Sequence, residues 1–577
     1  MAAFAQSGAS SAADSIGWKL RKQFDGRLAG LRVNRYSWWV HWRELADYVL
    51  PRRYKWLITP NQAARGSPIN QHIIDSTGTL AARNCAAGML TGTTNPTKQW
   101  FRLKINKIDS TQTSPISLWL ADCERLLRMI FQTSNFYQAM ATFYFDLVVF
   151  GTATILIYED FETVIRCFNP CAGEYYLDHD ENFRANIFYR EFVLTVDQCV
   201  KRFGYDNCSP AVKGLYDQGN TMLTRELVVG HGIEPNDDRS LGFPEHFKFR
   251  ELYWEVGSRG DKFLRKRGYF DNPLVPGRWD LVANDPYGRS PAMDALGDIK
   301  QLQQETRRKA QAIDKTVNPP MVADIQLKNQ PASLLPGGVT YIAGFASSGK
   351  AGFASVYDMK FPIGEITEDL NEIKERIKKI FFNDVFQIIS QYETRSNVSA
   401  TEIDARRAEG LLMIGPVLER LMTESLPQAI DRAFGIVTRA GILPPPPAEL
   451  GAGGQDIEVQ FVSMLATAQE AATASGIERV FGMAGNVAGV DPQVMDVIDF
   501  DYGVEKYSSL LNNDPKLIRS PEAIMAIRQQ RQQQQQQQAM AQQADTAQKL
   551  SAGAKNLGDI NVGQGRNAVQ AITGAPG

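Results

Sequence analysis

The residues Gly344-Phe345-Ala346-Ser347-Ser348-Gly349-Lys350-Ala351 nearly spell a phosphate loop, G-x-x-x-x-G-K-[ST]. Two things are missing. Ala351 has no hydroxyl for a magnesium ion, and the following Phe353-Ala354-Ser355-Val356-Tyr357 reads as a strand, where the motif needs a helix N-terminus aimed at the phosphates. Cys167 and Cys171 have the spacing of half a zinc site, but Cys199 and Cys208 do not complete it, so buried thiols are expected. Asp178, Asp180 and Asn182 echo a calcium loop, yet Phe183 stands where glycine is needed and no closing glutamate follows, so a hairpin turn is expected. None of the five histidines is paired in sequence with a cysteine or another histidine. No catalytic constellation emerges, and the expectation is a protein that is not an enzyme and holds no cofactor or metal.

Composition narrows the class. With 62 basic and 64 acidic residues the net charge is -2, which argues against a general nucleic-acid binder but permits local basic patches. A chain of 577 residues, 44% hydrophobic, holds more than one domain with sizeable cores. No apolar run reaches membrane-spanning length. The first residues lack the charged and apolar parts of a signal peptide, and six scattered cysteines suit reduced thiols.

The most informative stretch is Tyr287 to Pro320. Ser290 can cap a helix, Pro291 fits its first turn, and Leu296, Ile299, Leu302, Thr306, Ala310, Ile313 and Val317 recur at spacings of three and four. Pro319-Pro320 stops it. The stripe is thin for a core helix, which suggests packing against copies of itself, although a solvated surface helix would also fit.

Before it, residues 1–13 are expected to be disordered. Residues 14–290 read as an α+β domain. Its first helix carries Tyr36, Trp38, Trp39 and Trp42 between arginines, a cluster better suited to packing than to stacking on bases. Strands follow from Ala153. After the central helix, 319–362 is a small, mostly extended module. A second leg, 363–389, has acidic residues first and basic ones last, matching the helix dipole. Residues 390–398 form a polar loop. Ser399 and Glu402 make a capping box for a long helix to 441, kinked at Gly415-Pro416 and Pro427. A Pro- and Gly-rich linker leads to a helical domain at 456–511, then a helix and a glutamine-rich flexible tail at 512–577.

This order, with Arg278-Trp279, Tyr287-Gly288-Arg289-Ser290-Pro291, Ala295 to Lys300, Asn318-Pro319-Pro320, Ser399 to Ile403 and Gly415 to Leu421, resembles the portal, or head-to-tail connecting, proteins of short-tailed bacteriophages. His231 with Pro235-Asn236 is a weaker match. The similarity covers roughly 15–510. It implies an α+β, mainly helical subunit of a twelve-membered ring with a central channel at one capsid vertex. The wing would be 14–290 plus 399–441, the stem legs 291–318 and 363–389, the clip 319–362, the tunnel loop 390–398 and the crown 456–511. Implied partners are the terminase large subunit, then tail adaptor and tail proteins, the major capsid and scaffolding proteins, and double-stranded DNA passing without sequence specificity. No membrane is involved. The implied location is the virion, after assembly in the host cytoplasm. The resemblance makes Gln391, Arg395 and Asn397 the candidates to touch DNA. Weaker ones are Lys328 and Lys350 in the clip and Arg307, Arg308, Lys374 and Lys378 on the stem, for which salt bridges between subunits fit equally well. Alternatives are another ring-forming virion adaptor, or an ATP-using enzyme working through Gly344 to Lys350, which Lys350→Ala would silence.

Overall fold

The computed structural model describes residues 2–51, 71–105, 115–237, 247–258, 263–317, 321–323, 353–355, 362–385, 414–447, 457–461, 464–488, 497–510, 517–519 and 521–559. The chain divides into two compact units. The larger comprises Met1–Arg102, Cys123–Leu443 and Val459–Gln469, the smaller Leu103–Asp122, Pro444–Glu458 and Glu470–Gly577. The architecture is α+β, mainly helical.

In chain order the elements are α1 (Ala2–Tyr48), α2 (Thr77–Thr93), β1 (Phe101–Ile105), α3 (Pro115–Thr133), α4 (Phe136–Phe150), β2 (Thr152–Asp160), β3 (Val164–Phe168), β4 (Tyr175–His179), β5 (Ala185–Thr195), α5 (Val196–Phe203), α6 (Pro210–Gln218), β6 (Glu226–Pro235), β7 (Phe249–Glu255), β8 (Arg265–Tyr269), β9 (Leu274–Arg278), α7 (Pro291–Val317), β10 (Met321–Ala323), β11 (Phe353–Ser355), α8 (Ile363–Ile380), α9 (Leu426–Arg439), β12 (Ile457–Phe461), α10 (Met464–Ala488), α11 (Phe500–Leu510) and α12 (Pro521–Asp559).

The larger unit is built on two antiparallel sheets, of order β3-β2-β9 and β4-β5-β6-β7-β8. Strand alternation gives the second sheet two apolar faces. On one, Leu20, Phe24, Leu28 and Leu31 of α1, spaced by four, four and three, pack onto Tyr189, Leu252 and Trp254. Gly230 and Gly232 leave room there: a Cβ at Gly230 would lie 2.4 Å from the Trp254 ring and one at Gly232 2.9 Å from Phe24. On the other face α5 and α6 close over Phe192, Val229 and Tyr253. The helix α4 is apolar nearly all round and buried along most of its length, as a core helix should be.

The second face also holds charge. His231 is fully buried; its Nδ1 accepts from Arg190 Nε at 3.0 Å, so Nε2–H donates to Glu251 at 2.8 Å. Tyr253 donates to the same carboxylate at 3.0 Å, and Arg190 also reaches Glu174 at 3.2 Å. Burial lowers the imidazole pKa to about 4 against the donation to Glu251. The folded state thus keeps His231 neutral while the unfolded chain binds a proton near pH 6.5. Stability from this group is complete above pH 6.5 and falls as pH drops towards 4, by on the order of 3 kcal/mol. The wild-type melting temperature should therefore fall more steeply between pH 7 and 4 than that of His231→Gln, in which the amide keeps both hydrogen bonds without titrating. Equal slopes would rule out a neutral imidazole.

Several expectations change. Residues 2–13, read as disordered, are the first turns of α1; their alanines favour helix. Likewise α12 runs through the glutamine tract to Asp559, where Gln, Ala, Arg and Met sustain a helix whose side chains from 529 to 552 are all exposed. β8 and β9 were not legible as strands. Pro276 lacks an N–H, but β9 is the edge of its sheet, where proline is tolerated. Residues 103–122, expected in the N-terminal domain, group with the smaller unit, where Trp119 Nε1 donates to the Pro444 carbonyl at 2.9 Å. In that unit α10 and α11 meet where the Phe481 ring lies against Gly503, with Tyr507 donating to Glu478 and Arg528 pairing with Asp501 at 2.7 Å.

Asp180 organises the β4–β5 hairpin turn. Its carboxylate accepts from the Asn182 and Arg184 amides and the Asn186 side chain, each at 2.9 Å, which is the hairpin turn expected of these residues. All six cysteines are buried. Among the described residues no group of three or more metal-ligating side chains converges, and no helix is long and apolar enough to cross a membrane. Gly344 to Ala351 lies outside the described residues, but the element after it is β11, an edge of a small antiparallel pair with β10, and not a helix.

Candidate channel-forming legs and their anchor

Pro291–Val317 forms α7, with the bounds its sequence predicts, and would be about 40 Å long at 1.5 Å per residue. Its second leg, α8, runs antiparallel beside it. Arg376 meets Asp298 at 3.3 Å and Lys309 donates to Thr367 at 2.8 Å, which fixes the register. The buried stripe of α8 is Leu370, Ile373 and Ile377. On α7 burial is uneven. Leu296, Ile299 and Leu302 are covered, but Ile313 is 40% and Val317 79% exposed, so the stripe outlasts its cover within one chain.

The legs also clasp the chain before α2. Gln303 is buried although polar because both ends of its amide are bonded: it accepts from Ile74 and Asp75 amides at 2.7 and 2.8 Å and donates to the Asp75 carbonyl at 2.8 Å. Lys374 pairs with the Asp75 carboxylate at 2.8 Å. Burial pushes that carboxyl up, but the hydrogen bonds from Lys374 and Thr77 prevail and hold its pKa below the ordinary range.

α8 stops at Ile380, short of the expected 389, although residues 383–385 are again helical. Phe381 is pulled into the core, and Phe382 takes a left-handed φ of 55° beside Trp279.

The start of α7 is locked to the larger unit by Tyr287 to Pro291. The buried Tyr287 ring sits edge-on to Trp42 at 5.2 Å, and its hydroxyl accepts from the Leu177 amide at 3.1 Å. Trp42 donates to the Phe150 carbonyl at 2.9 Å. Trp42 and, in part, Trp38 are therefore packing, as expected, whereas Tyr36 is 66% exposed. The Gly288 amide donates to Thr152 Oγ1 at 2.9 Å. Ser290 caps the helix, accepting from Met293 at 3.1 Å while donating to the Val149 carbonyl at 2.8 Å. The neighbouring Arg278 is buried and grips Glu424 with Nε and Nη2, at 3.2 and 2.9 Å. Glu424 lies in a π-helical turn, Leu421–Ser425, which ends two residues before Pro427. Proline has no N–H for the preceding turn, and the wider turn absorbs the gap.

Of the candidate contact residues, Gln391, Arg395, Asn397, Lys328 and Lys350 lie outside the described residues. Arg307 and Arg308 are exposed on α7 with no ion pair among the described residues. Lys374 is tied to Asp75 and Lys378 to Glu375 at 2.7 Å. Sequence reasoning had no signal for the Asp75 and Gln303 clasp, because its partners lie 228 residues apart.

Residues 21–518 match the model of the bacteriophage head to tail connecting protein family. The chain belongs to the portal protein family. A probable portal protein of Bordetella phage BPP-1 is 40% identical over 538 residues, covering 92% of this chain and 95% of that one. The portal protein of Salmonella phage epsilon15 is 36% identical over 560 residues, covering 96% and 97%. The matched residues span both legs, their anchor and the π turn.

Proposed function

We propose that this portal chain forms a closed ring of about twelve copies at one capsid vertex, with α7 and α8 as stem legs around a channel for genome packaging and ejection. The observation that carries this reading is the pair of antiparallel legs with the β10–β11 pair between them in sequence, and an apolar stripe on α7 that is exposed at Ile313 and Val317. A neighbouring copy would bury those residues. The wing is 14–290 with 399–441, and the crown is 456–511. The clip, 319–362, offers the docking face, first for the terminase large subunit and then for the tail adaptor. Major capsid and scaffolding proteins surround the ring during assembly, and the mature location is the virion.

DNA would pass the tunnel loop, 390–398, with Gln391, Arg395 and Asn397 facing it, and Lys328 and Lys350 in the clip. A near-neutral chain suits sliding, because strong phosphate binding would hold the DNA. Lys374 and Lys378 contribute less, since each already has a carboxylate partner.

The test is mass and symmetry. With a 64.3 kDa chain, light scattering should give roughly 770 kDa, and electron-microscope class averages a ring with a central hole. A monomer that stays so even with scaffolding protein would remove the reading. Arg395→Ala should form normal rings yet package or retain DNA several-fold less well; normal packaging would clear Arg395 of a channel role.

A further inference from the structure

The face of α8 opposite Leu370, Ile373 and Ile377 is a row of acids: Glu365, Glu368, Glu372 and Glu375 recur at spacings of three and four, and all are exposed. Glu375 has Lys378, whereas Glu365, Glu368 and Glu372 make no ion pair among the described residues, although Arg376, already paired with Asp298, and Lys379 line the same shallow groove at the C-terminal end of the row. The face of α7 opposite Leu296, Ile299 and Leu302 is its chemical complement. Gln301, Gln304, Arg308, Gln311 and Lys315 form that row with no acid in it, and Arg307 stands at its side, all exposed. Unpaired charges of one sign on one leg and of the other sign on its neighbour do not meet within the chain, because both rows point away from the shared core.

Height decides what they can meet. Asp298 is level with Arg376 and Lys309 with Thr367, so the antiparallel register puts Arg307 and Arg308 at the level of Thr367 to Asp369. Gln304 is then level with Asn371 and Glu372. A rotation about an axis nearly parallel to the legs carries a second copy's α8 to the same height.

We propose that these rows are the two halves of one interface between copies, with Arg307 and Arg308 of one subunit meeting Glu368 and Glu372 of the next. This rests on the ring reading above. DNA does not fit as the occupant of both, since on the basic row it would leave the acidic row uncovered. A second copy satisfies both rows at once. Exposed ion pairs contribute little each, so the rows set register and direction more than strength. The exposed Ile313 and Val317 supply the apolar part.

The test uses two single-cysteine variants, Arg308→Cys and Glu368→Cys, co-expressed with different tags and treated with a short bis-maleimide. The six native cysteines are buried. Cross-linked species carrying both tags should appear in the mixture and not with either variant alone. In parallel, Arg307→Glu with Arg308→Glu should cut the ring fraction at least several-fold, as should Glu368→Lys with Glu372→Lys, and the four together should restore it. Rings that form without a mixed cross-link, or charge reversals on α7 that leave rings intact while altering DNA packaging, overturn this pairing and leave the ring reading standing. A wild-type chain that never forms rings overturns both.

Discussion

Gly151→Ala is expected to be among the most damaging single-methyl additions in the protein. Gly151 ends α4 with a φ of +73°, donating to the Leu147 carbonyl at 2.9 Å, and its own carbonyl accepts from the Trp279 amide at 2.9 Å. A Cβ there would lie 2.2 Å from the Gly288 carbonyl oxygen and 2.7 Å from the Arg289 carbonyl carbon. Both are backbone atoms, so no side chain can swing aside. Left-handed strain costs an alanine about 1 kcal/mol, and forcing packed backbone apart adds about 1–3 kcal/mol. Because the displaced atoms belong to Tyr287–Pro291, the start of α7 moves with them. The melting temperature should fall by several degrees and the yield of assembled protein should drop. Gly441→Ala is the control: it too ends a helix, its φ is +67°, and no atom lies within 4 Å of its Cβ. It should show the strain alone. If the two variants melt alike, the contact between Gly151 and Gly288 is not tight.

Arg278→Ala should cost about 3–5 kcal/mol, the range for removing one partner of a buried pair. Arg278 is 2% exposed, and besides Glu424 it donates to the Phe183 carbonyl at 2.9 Å. Its loss leaves Glu424, itself mostly covered, without its bidentate partner, and frees the π turn from β9. Limited proteolysis should then cut within 414–443 well before the wild type is attacked. Arg278→Lys should recover only part, because a single ammonium cannot serve the two carboxylate oxygens and the carbonyl together. Unchanged melting and unchanged proteolysis would mean that the pair does not hold the long helix.

The sequence by itself determined what depends on neighbours along the chain. The caps and period of α7, the acidic-to-basic polarity of α8 and the Asp180 turn are local. So is the failure of Gly344 to Ala351 to lead into a helix. Each comes from residues within a turn or two, where propensity, capping and hydrophobic period act. Kinship was legible for the same reason: Tyr287 to Pro291 is a compact run in which Tyr287, Gly288 and Ser290 each bond a different segment.

Only the tertiary structure decided the rest. β8 and β9 carry charge, glycine and proline, and become strands because β7 and β2 offer them an edge. The neutral state of His231 comes from its burial, helped by Arg190 and opposed by Glu251, and both partners come from other strands. Gln303 and Lys374 are clasped by the residues before α2, so a lysine that reads as a free cation is already spent. Whether a charge is available to a partner is a property of what packs beside it, and sequence spacing cannot report contacts made between distant segments. That is why the legs could be drawn from sequence while the division of their charges, inward at Lys374 and outward at Arg308 and Glu368, needed the fold.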